Sequence, residues 1–90
     1  MPEYPIPSTT GFTVYTKIDC KYCGMVKELL EEEEAQYVQC DQYLDAKETF
    51  LAFIESKGGK GHKSFPMVFY NGTFVGGFTE TLKLCKKKSM

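Results

Sequence analysis

Two cysteines two residues apart, Cys20-Lys21-Tyr22-Cys23, have the types and spacing to do chemistry. Upstream, Phe12, Val14 and Thr16 alternate with Thr13 and Tyr15, which predicts a strand over 11–16 with bulk on both faces. Downstream, Met25, Val26, Leu29 and Leu30 recur at helical spacing, which predicts a helix from 22 to about 33. The cysteine pair therefore falls where a strand hands over to a helix. A thiol there meets unsatisfied N–H groups and the positive end of the helix dipole. That field favours thiolate, the nucleophilic form of sulfur. Cys20 is expected to face solvent at the helix start. Cys23 follows nearly one turn later, close enough to close a small disulfide ring. This is a geometry for thiol–disulfide exchange.

Other ligand chemistry fits the chain less well. A zinc site would have to draw on Cys40, Cys85 and His62, which show no second knuckle spacing, so no metal is expected. Cys40 and Cys85 read as buried small hydrophobes and His62 as a solvated loop residue. The loop 58–64, Gly-Gly-Lys-Gly-His-Lys-Ser, lacks the phosphate-loop pattern: Lys63 stands where the second glycine belongs. The run Glu31-Glu32-Glu33-Glu34 reads as a solvated helix end, unfavourably placed against the dipole.

Composition narrows the classes further. The 90 residues suit one domain, and a net charge of −1 gives no field that would recruit nucleic acid or membrane. All 11 basic residues are lysines, so bidentate arginine recognition of phosphate or bases is absent. Four cysteines are too few for a disulfide scaffold. Residues 1–7 have neither the basic flank nor the apolar run of a secretory signal. A reducing, cytoplasmic setting is the expectation, and there a C-x-x-C is usually catalytic or metal-binding.

The elements that must position the pair can be read in order. Residues 1–10 hold three prolines and form an extended lead-in to a single domain over 11–90. Residues 37–40 make a short second strand. Asp45 and Glu48 have capping-box spacing ahead of a helix carrying Phe50, Leu51, Phe53 and Ile54, with Gly58 as its left-handed stop. Met67 to Tyr70, Asn71-Gly72 and Thr73 to Gly76 make a hairpin with a type I′ turn. Gly76-Gly77 ends it, and Thr79 is placed to cap a last helix containing Leu82, Leu84 and Cys85. The order is β-α-β-α-β-β-α: an α/β fold with a four-stranded mixed sheet and helices on both faces. Phe12, Phe50, Phe53, Phe69 and Phe74 are core candidates.

Three blocks in order, Thr16-Lys17-Ile18-Asp19-Cys20-Lys21-Tyr22-Cys23, Phe65-Pro66 and Gly76-Gly77, resemble the dithiol glutaredoxins, small proteins of the thioredoxin-like fold. The resemblance covers nearly the whole chain beyond the lead-in. Thioredoxins fit less well, since their Trp-Cys-Gly-Pro-Cys motif finds no tryptophan here. The family implies a glutathione-dependent oxidoreductase that reduces glutathione mixed disulfides and protein disulfides. Cys20 would attack, and Cys23 would resolve. Lys17 would meet the tripeptide's glycyl carboxylate, with Tyr22 flanking the groove. A cis Phe65–Pro66 bond would turn the Phe65 backbone outward to pair with the tripeptide. The helix start at Gly77, Thr79 and Glu80 would hold the γ-glutamyl end, Glu80 meeting its amino group.

Lys21, Asp19, Phe65 and Glu80 depart from the commoner family residues, the first two bearing on redox tuning and the last two on groove shape. Glutathione is the implied co-substrate, and glutathionylated or disulfide-bonded proteins, ribonucleotide reductase among them, are the implied partners of a monomer. The other class the family offers is an iron–sulfur cluster carrier, in which two protomers share a cluster through Cys20 and glutathione.

Overall fold

The computed structural model describes residues 4–59, 61, 62 and 64–88. Strands β1 (Phe12–Thr16), β2 (Ala35–Gln39), β3 (Met67–Tyr70) and β4 (Thr73–Gly76) form one sheet in the order β2-β1-β3-β4. β2 runs parallel to β1, while β3 is antiparallel to both β1 and β4. Helix α1 (Lys21–Leu29) joins β1 to β2, α2 (Lys47–Ser56) precedes β3, and α3 (Phe78–Lys88) ends the fold.

The two-residue period of the strands divides the core. Phe12 and Val14 of β1 and Val68 of β3 meet Val26 and Leu30, with Phe78 and Leu84 of α3 packed beside them. Tyr15, Met67 and Phe69 point the other way, onto Phe50 and Ile54 of α2. Every residue of β1 is buried, as a central strand with a helical layer on each side requires. Helices thus cover both faces. Phe12, Phe50 and Phe69 are fully buried, and Phe53 and Phe74 pack half-buried against them.

Several boundaries differ from the sequence reading. Helix α1 stops at Leu29, before the glutamates, and the chain leaves it in turns such as Glu33 N–H to Leu30 C=O. Four carboxylates at a negative helix end weaken continuation there, and the Glu34 carbonyl is used instead to receive the Phe12 N–H at 2.8 Å. β2 begins earlier, at Ala35, because it pairs with β1 along its whole length. Cys40 lies just past the strand. The Asp45–Glu48 capping box does not form. A 3₁₀ segment, Asp41–Ala46, occupies those residues and feeds straight into α2 without a side-chain cap.

The hairpin turn agrees with its expectation: Asn71 and Gly72 have φ of 51° and 84°, the left-handed pair that type I′ needs. Gly58 likewise takes a left-handed φ of 106° just past α2. The lead-in, where described, is docked on the domain. The Tyr4 ring packs on Tyr43, Phe50 and Phe53, and the Tyr15 hydroxyl donates to the Pro5 carbonyl at 2.5 Å.

Candidate functional site

Cys20 is the N-cap residue of α1, with extended φ/ψ of −109° and 106°. At an N-cap a serine or aspartate oxygen usually accepts an N–H from the first turn. Here sulfur does so: the Cys23 N–H donates to Cys20 Sγ at 3.2 Å. The loop before it is fixed by two devices. Asp19 takes the left-handed conformation, φ 56°, and the Ile18 N–H donates to both Asp41 carboxylate oxygens at 3.1 and 3.2 Å. Cys20 and Cys23 are joined as a disulfide with Cα atoms 5.2 Å apart. Cys20 is half-buried and Cys23 only 3 % exposed, so an incoming disulfide reaches Cys20 first.

The residues expected around the pair come from four segments. Tyr22, half exposed on α1, lays its ring 5.9 Å from that of Phe78. The Phe65–Pro66 peptide is cis, as the resemblance implies. Phe65 stacks on Phe50 at 5.9 Å, which anchors it. Tyr22, Phe65, Pro66, Gly77, Thr79 and Glu80 together line a groove of about 190 Å³. Lys17 stands outside that lining, its Nζ 5.9 Å from the centre of the Phe65 ring, a cation over an aromatic face.

The far end of the groove is the start of α3, and here the sequence reading needs correction. Helix α3 begins at Phe78, so Thr79 lies inside its first turn and Gly77 takes the capping position. The Gly77 N–H donates to Glu80 Oε1 at 2.8 Å, the return half of a capping box. The buried Thr81 hydroxyl donates to the Gly77 carbonyl at 2.8 Å. Glu80 is thus already engaged. That Gly77 hydrogen bond, foremost, holds its carboxyl below the usual range, helped by its own N–H and by the charges of His62 and Lys83. Gly76, with φ of 134°, carries no side chain because a Cβ would stand 2.9 Å from the Cβ of Glu80.

His62 is the residue the sequence reading missed. It lines the groove, with Nε2 3.3 Å from the Pro66 carbonyl and its ring edge on Phe74. Lys63, next to it in the loop, lies outside the described residues. A larger cavity of about 550 Å³, between the end of α1 and α3, is lined by Glu28, Glu31, Glu32, Leu82 and Cys85, and neither Cys20 nor Cys23 reaches it.

Cys40 is fully buried, and burial pushes its thiol up to about 12. Cys85 is half-buried on α3. Among the described residues no group of three or more His, Cys, Asp or Glu side chains could hold a metal ion.

The stretch that holds the dithiol and the cis-proline is matched by known proteins. The glutaredoxin family model covers residues 12–75. The chain belongs to the glutaredoxin family. A glutaredoxin of Neisseria meningitidis serogroup B is 36 % identical over 72 residues, 80 % of this chain and 81 % of that one. The mitochondrial glutaredoxin-2 of Pongo abelii is 33 % identical over 76 residues, 82 % of this chain and 45 % of that one. The chain spans about half the length of the mitochondrial relatives that it matches. Among solved structures, a buckwheat glutaredoxin–glutathione complex superposes with a TM-score of 0.70 at 25 % identity, covering 86 % of this chain and 69 % of that one. The four-stranded mixed sheet with its helical layers is therefore the thioredoxin-like fold. Glutaredoxins are thiol–disulfide oxidoreductases, and Cys20 with Cys23 supplies the redox-active pair here.

Proposed function

We propose that this glutaredoxin reduces glutathione mixed disulfides and protein disulfides, with glutathione as its electron donor. The observation that carries the reading is the Cys20 sulfur at the mouth of α1, holding a first-turn N–H two residues before Tyr22, which lines a groove that ends on a second helix start. A thiolate keeps that N–H bond and gains from the dipole, whereas a thiol gains less.

The reaction proceeds by two exchanges. The Cys20 thiolate attacks the glutathione sulfur of a mixed disulfide, and the protein thiolate leaves and takes a proton. The Cys20–glutathione disulfide is then opened by a second glutathione thiolate, giving glutathione disulfide and regenerating the Cys20 thiolate. With a protein disulfide, Cys23 attacks Cys20 instead. The second substrate thiol leaves, and the internal Cys20–Cys23 disulfide awaits two glutathiones.

In this reading the tripeptide lies along Tyr22, Phe65 and Pro66. The exposed Lys17 takes its glycyl carboxylate, and the Phe65 backbone pairs with it as an added strand. The free N–H groups in the first turn of α3, around Thr79, take the γ-glutamyl end beside Gly77, with the second carboxylate oxygen of Glu80 available to its ammonium group. A monomer acting in a reducing, cytoplasmic setting is part of the proposal, as are glutathionylated proteins and ribonucleotide reductase as partners.

The test is an exchange assay on a glutathionylated peptide with two donors. Rapid turnover with glutathione, glutathione reductase and NADPH, but not with thioredoxin reductase and NADPH, is expected. Turnover with thioredoxin reductase alone would contradict the reading.

A further inference from the structure

The mouth of α3 carries a charge problem that follows from the Glu80 geometry. Glu80 Oε1 already accepts the Gly77 N–H at 2.8 Å, so one anion occupies this helix start before any ligand arrives. A γ-glutamyl group brings an ammonium, which suits Glu80, and a carboxylate, which does not. Two carboxylates at one helix mouth repel unless a cation joins them.

His62 is placed to be that cation. Its Cε1 and Glu80 Oε1 lie 3.4 and 3.6 Å from the point where a Gly77 side chain would begin, so the two residues flank one spot on the groove floor. Glycine at 77 leaves that spot open. A carbonyl oxygen only accepts, so the 3.3 Å contact to the Pro66 carbonyl makes Nε2 the donor. That bond fixes the ring in the groove wall. The ring edge on Phe74 and the bond to Pro66 tie it to β4 and to the loop ahead of β3.

Among the described residues the groups around it are few. Glu80 and Lys83 come from α3, Tyr22 lines the same groove from α1, and Phe74 contributes an apolar ring. Lys83 is exposed on the helix surface and does not line the groove. Lys17 is at Phe65. His62 is thus, among the described residues, the one side chain of the groove lining able to carry a positive charge.

We propose that His62 is a specificity-determining residue that, as imidazolium, offsets the second carboxylate a γ-glutamyl group brings beside Glu80. It rests on the reading of the groove as a glutathione site. It makes His62 the reason this glutaredoxin distinguishes glutathione from shorter thiols that share its cysteinylglycine half. His62 acts on binding alone, since the exchange occurs at Cys20.

The experiment compares two substrates differing only at that end: one peptide cysteine in mixed disulfide with glutathione, or with cysteinylglycine. The native protein is expected to favour the glutathione form through a lower KM. His62→Ala should raise KM for the glutathione form about tenfold, the size of one hydrogen bond to a charged group. It should leave kcat, and both constants for the cysteinylglycine form, within about twofold, the noise expected of a change remote from the chemistry. His62→Lys should restore most of the preference, because it returns the charge. The cysteinylglycine arm also reports folding, since a damaged fold lowers both arms together.

If His62→Ala keeps the native preference, or raises KM equally for both substrates, the proposal is overturned while the glutathione reading stands. If the native protein treats the two substrates alike, the γ-glutamyl site falls, and the proposal falls with it.

Discussion

Cys20 and Cys40 occupy equivalent places in two successive crossings and behave oppositely. Each follows the end of a strand, β1 or β2, and each is the residue before a helical segment, α1 or the 3₁₀ segment. Their φ values are nearly equal, −109° and −104°, but ψ is 106° at Cys20 and 7° at Cys40. That one torsion decides the chemistry. At Cys20 the sulfur turns over the helix mouth and accepts an N–H. At Cys40 the sulfur turns inward, makes no capping bond, and donates its own hydrogen to the Val38 carbonyl at 3.4 Å. An acceptor role favours thiolate, whereas a buried donor role requires the thiol. Position before a helix is therefore not enough to activate a cysteine.

The largest expected contrast is in turnover. Cys20→Ser should reduce disulfide exchange to background, because no other described thiol lies at a helix mouth beside the groove. Cys40→Ala should keep turnover near native while lowering stability by about 1–2 kcal/mol, the cost of removing a buried sulfur. Cys23→Ser falls between them: mixed-disulfide reduction persists, and most protein-disulfide reduction is lost for want of a resolving thiol. Parallel kinetics on the three variants, with thermal unfolding, check this. Turnover surviving in Cys20→Ser would mean that the sulfur at the mouth of α1 is not the nucleophile.

The second contrast is in pH. Burial raises the folded Cys40 thiol to about 12, against about 8.5 for an unfolded cysteine. Between those values the native state holds a proton that the unfolded state has lost, so stability falls as pH rises. The contribution is complete below about pH 8.5 and declines above it by about 1.4 kcal/mol per pH unit. Denaturant unfolding of the oxidised protein between about pH 8.5 and 9.5, below the tyrosine midpoint of about 10, should show this slope. Cys40→Ala should flatten it. An equal slope in both would mean that Cys40 is not the titrating group.

A smaller effect links the two regions. Asp41, the residue after Cys40, receives the Ile18 N–H with both carboxylate oxygens and so holds the loop that presents Cys20. Asp41→Ala should cost about 1 kcal/mol of stability and lower kcat/KM several-fold. Asp41→Asn, which keeps an acceptor, should recover part of both. A loss of stability with unchanged kcat/KM would reduce Asp41 to a structural role.

What the sequence revealed and concealed follows from the range of each interaction. The sheet, the hairpin and the Cys20 helix start rest on period-2 and period-3.6 patterns and on Asn71-Gly72, all local signals. Six of the groove residues were legible because their motifs are contiguous blocks. Asp41 was not, since its partner Ile18 is 23 positions away and nothing local marks the pair. His62 sits in a glycine- and lysine-rich stretch with no periodicity, and it is held at the groove by contacts no local pattern marks: its N–H to the Gly59 carbonyl, its ring to the Pro66 carbonyl and to Phe74. The family resemblance points Glu80 at the ligand and says nothing of its hydrogen bond to the Gly77 N–H. Glycine three residues before glutamate at a helix start was the signal available. The Asp45–Glu48 pattern failed for the opposite reason: a local motif was overruled by a 3₁₀ segment.

Thiol–disulfide exchange at Cys20 requires its sulfur to be held as thiolate at the mouth of α1. The helix N–H groups and Lys21 lower its proton affinity, and Asp19, next to it, raises it. Side-chain charges near the surface are each worth about 1 kcal/mol or less, so Lys21 and Asp19 nearly cancel and the helix end decides. Thiolate absorbance of the reduced Cys23→Ser protein, followed in the ultraviolet against pH, reads this directly once the same titration of a Cys20→Ser, Cys23→Ser protein is subtracted. A midpoint well below the ordinary value of about 8.5, with thiolate dominant at pH 7, is the expected result. A midpoint near or above 8 would contradict the account, leaving the sulfur at the helix start no more reactive than any exposed cysteine.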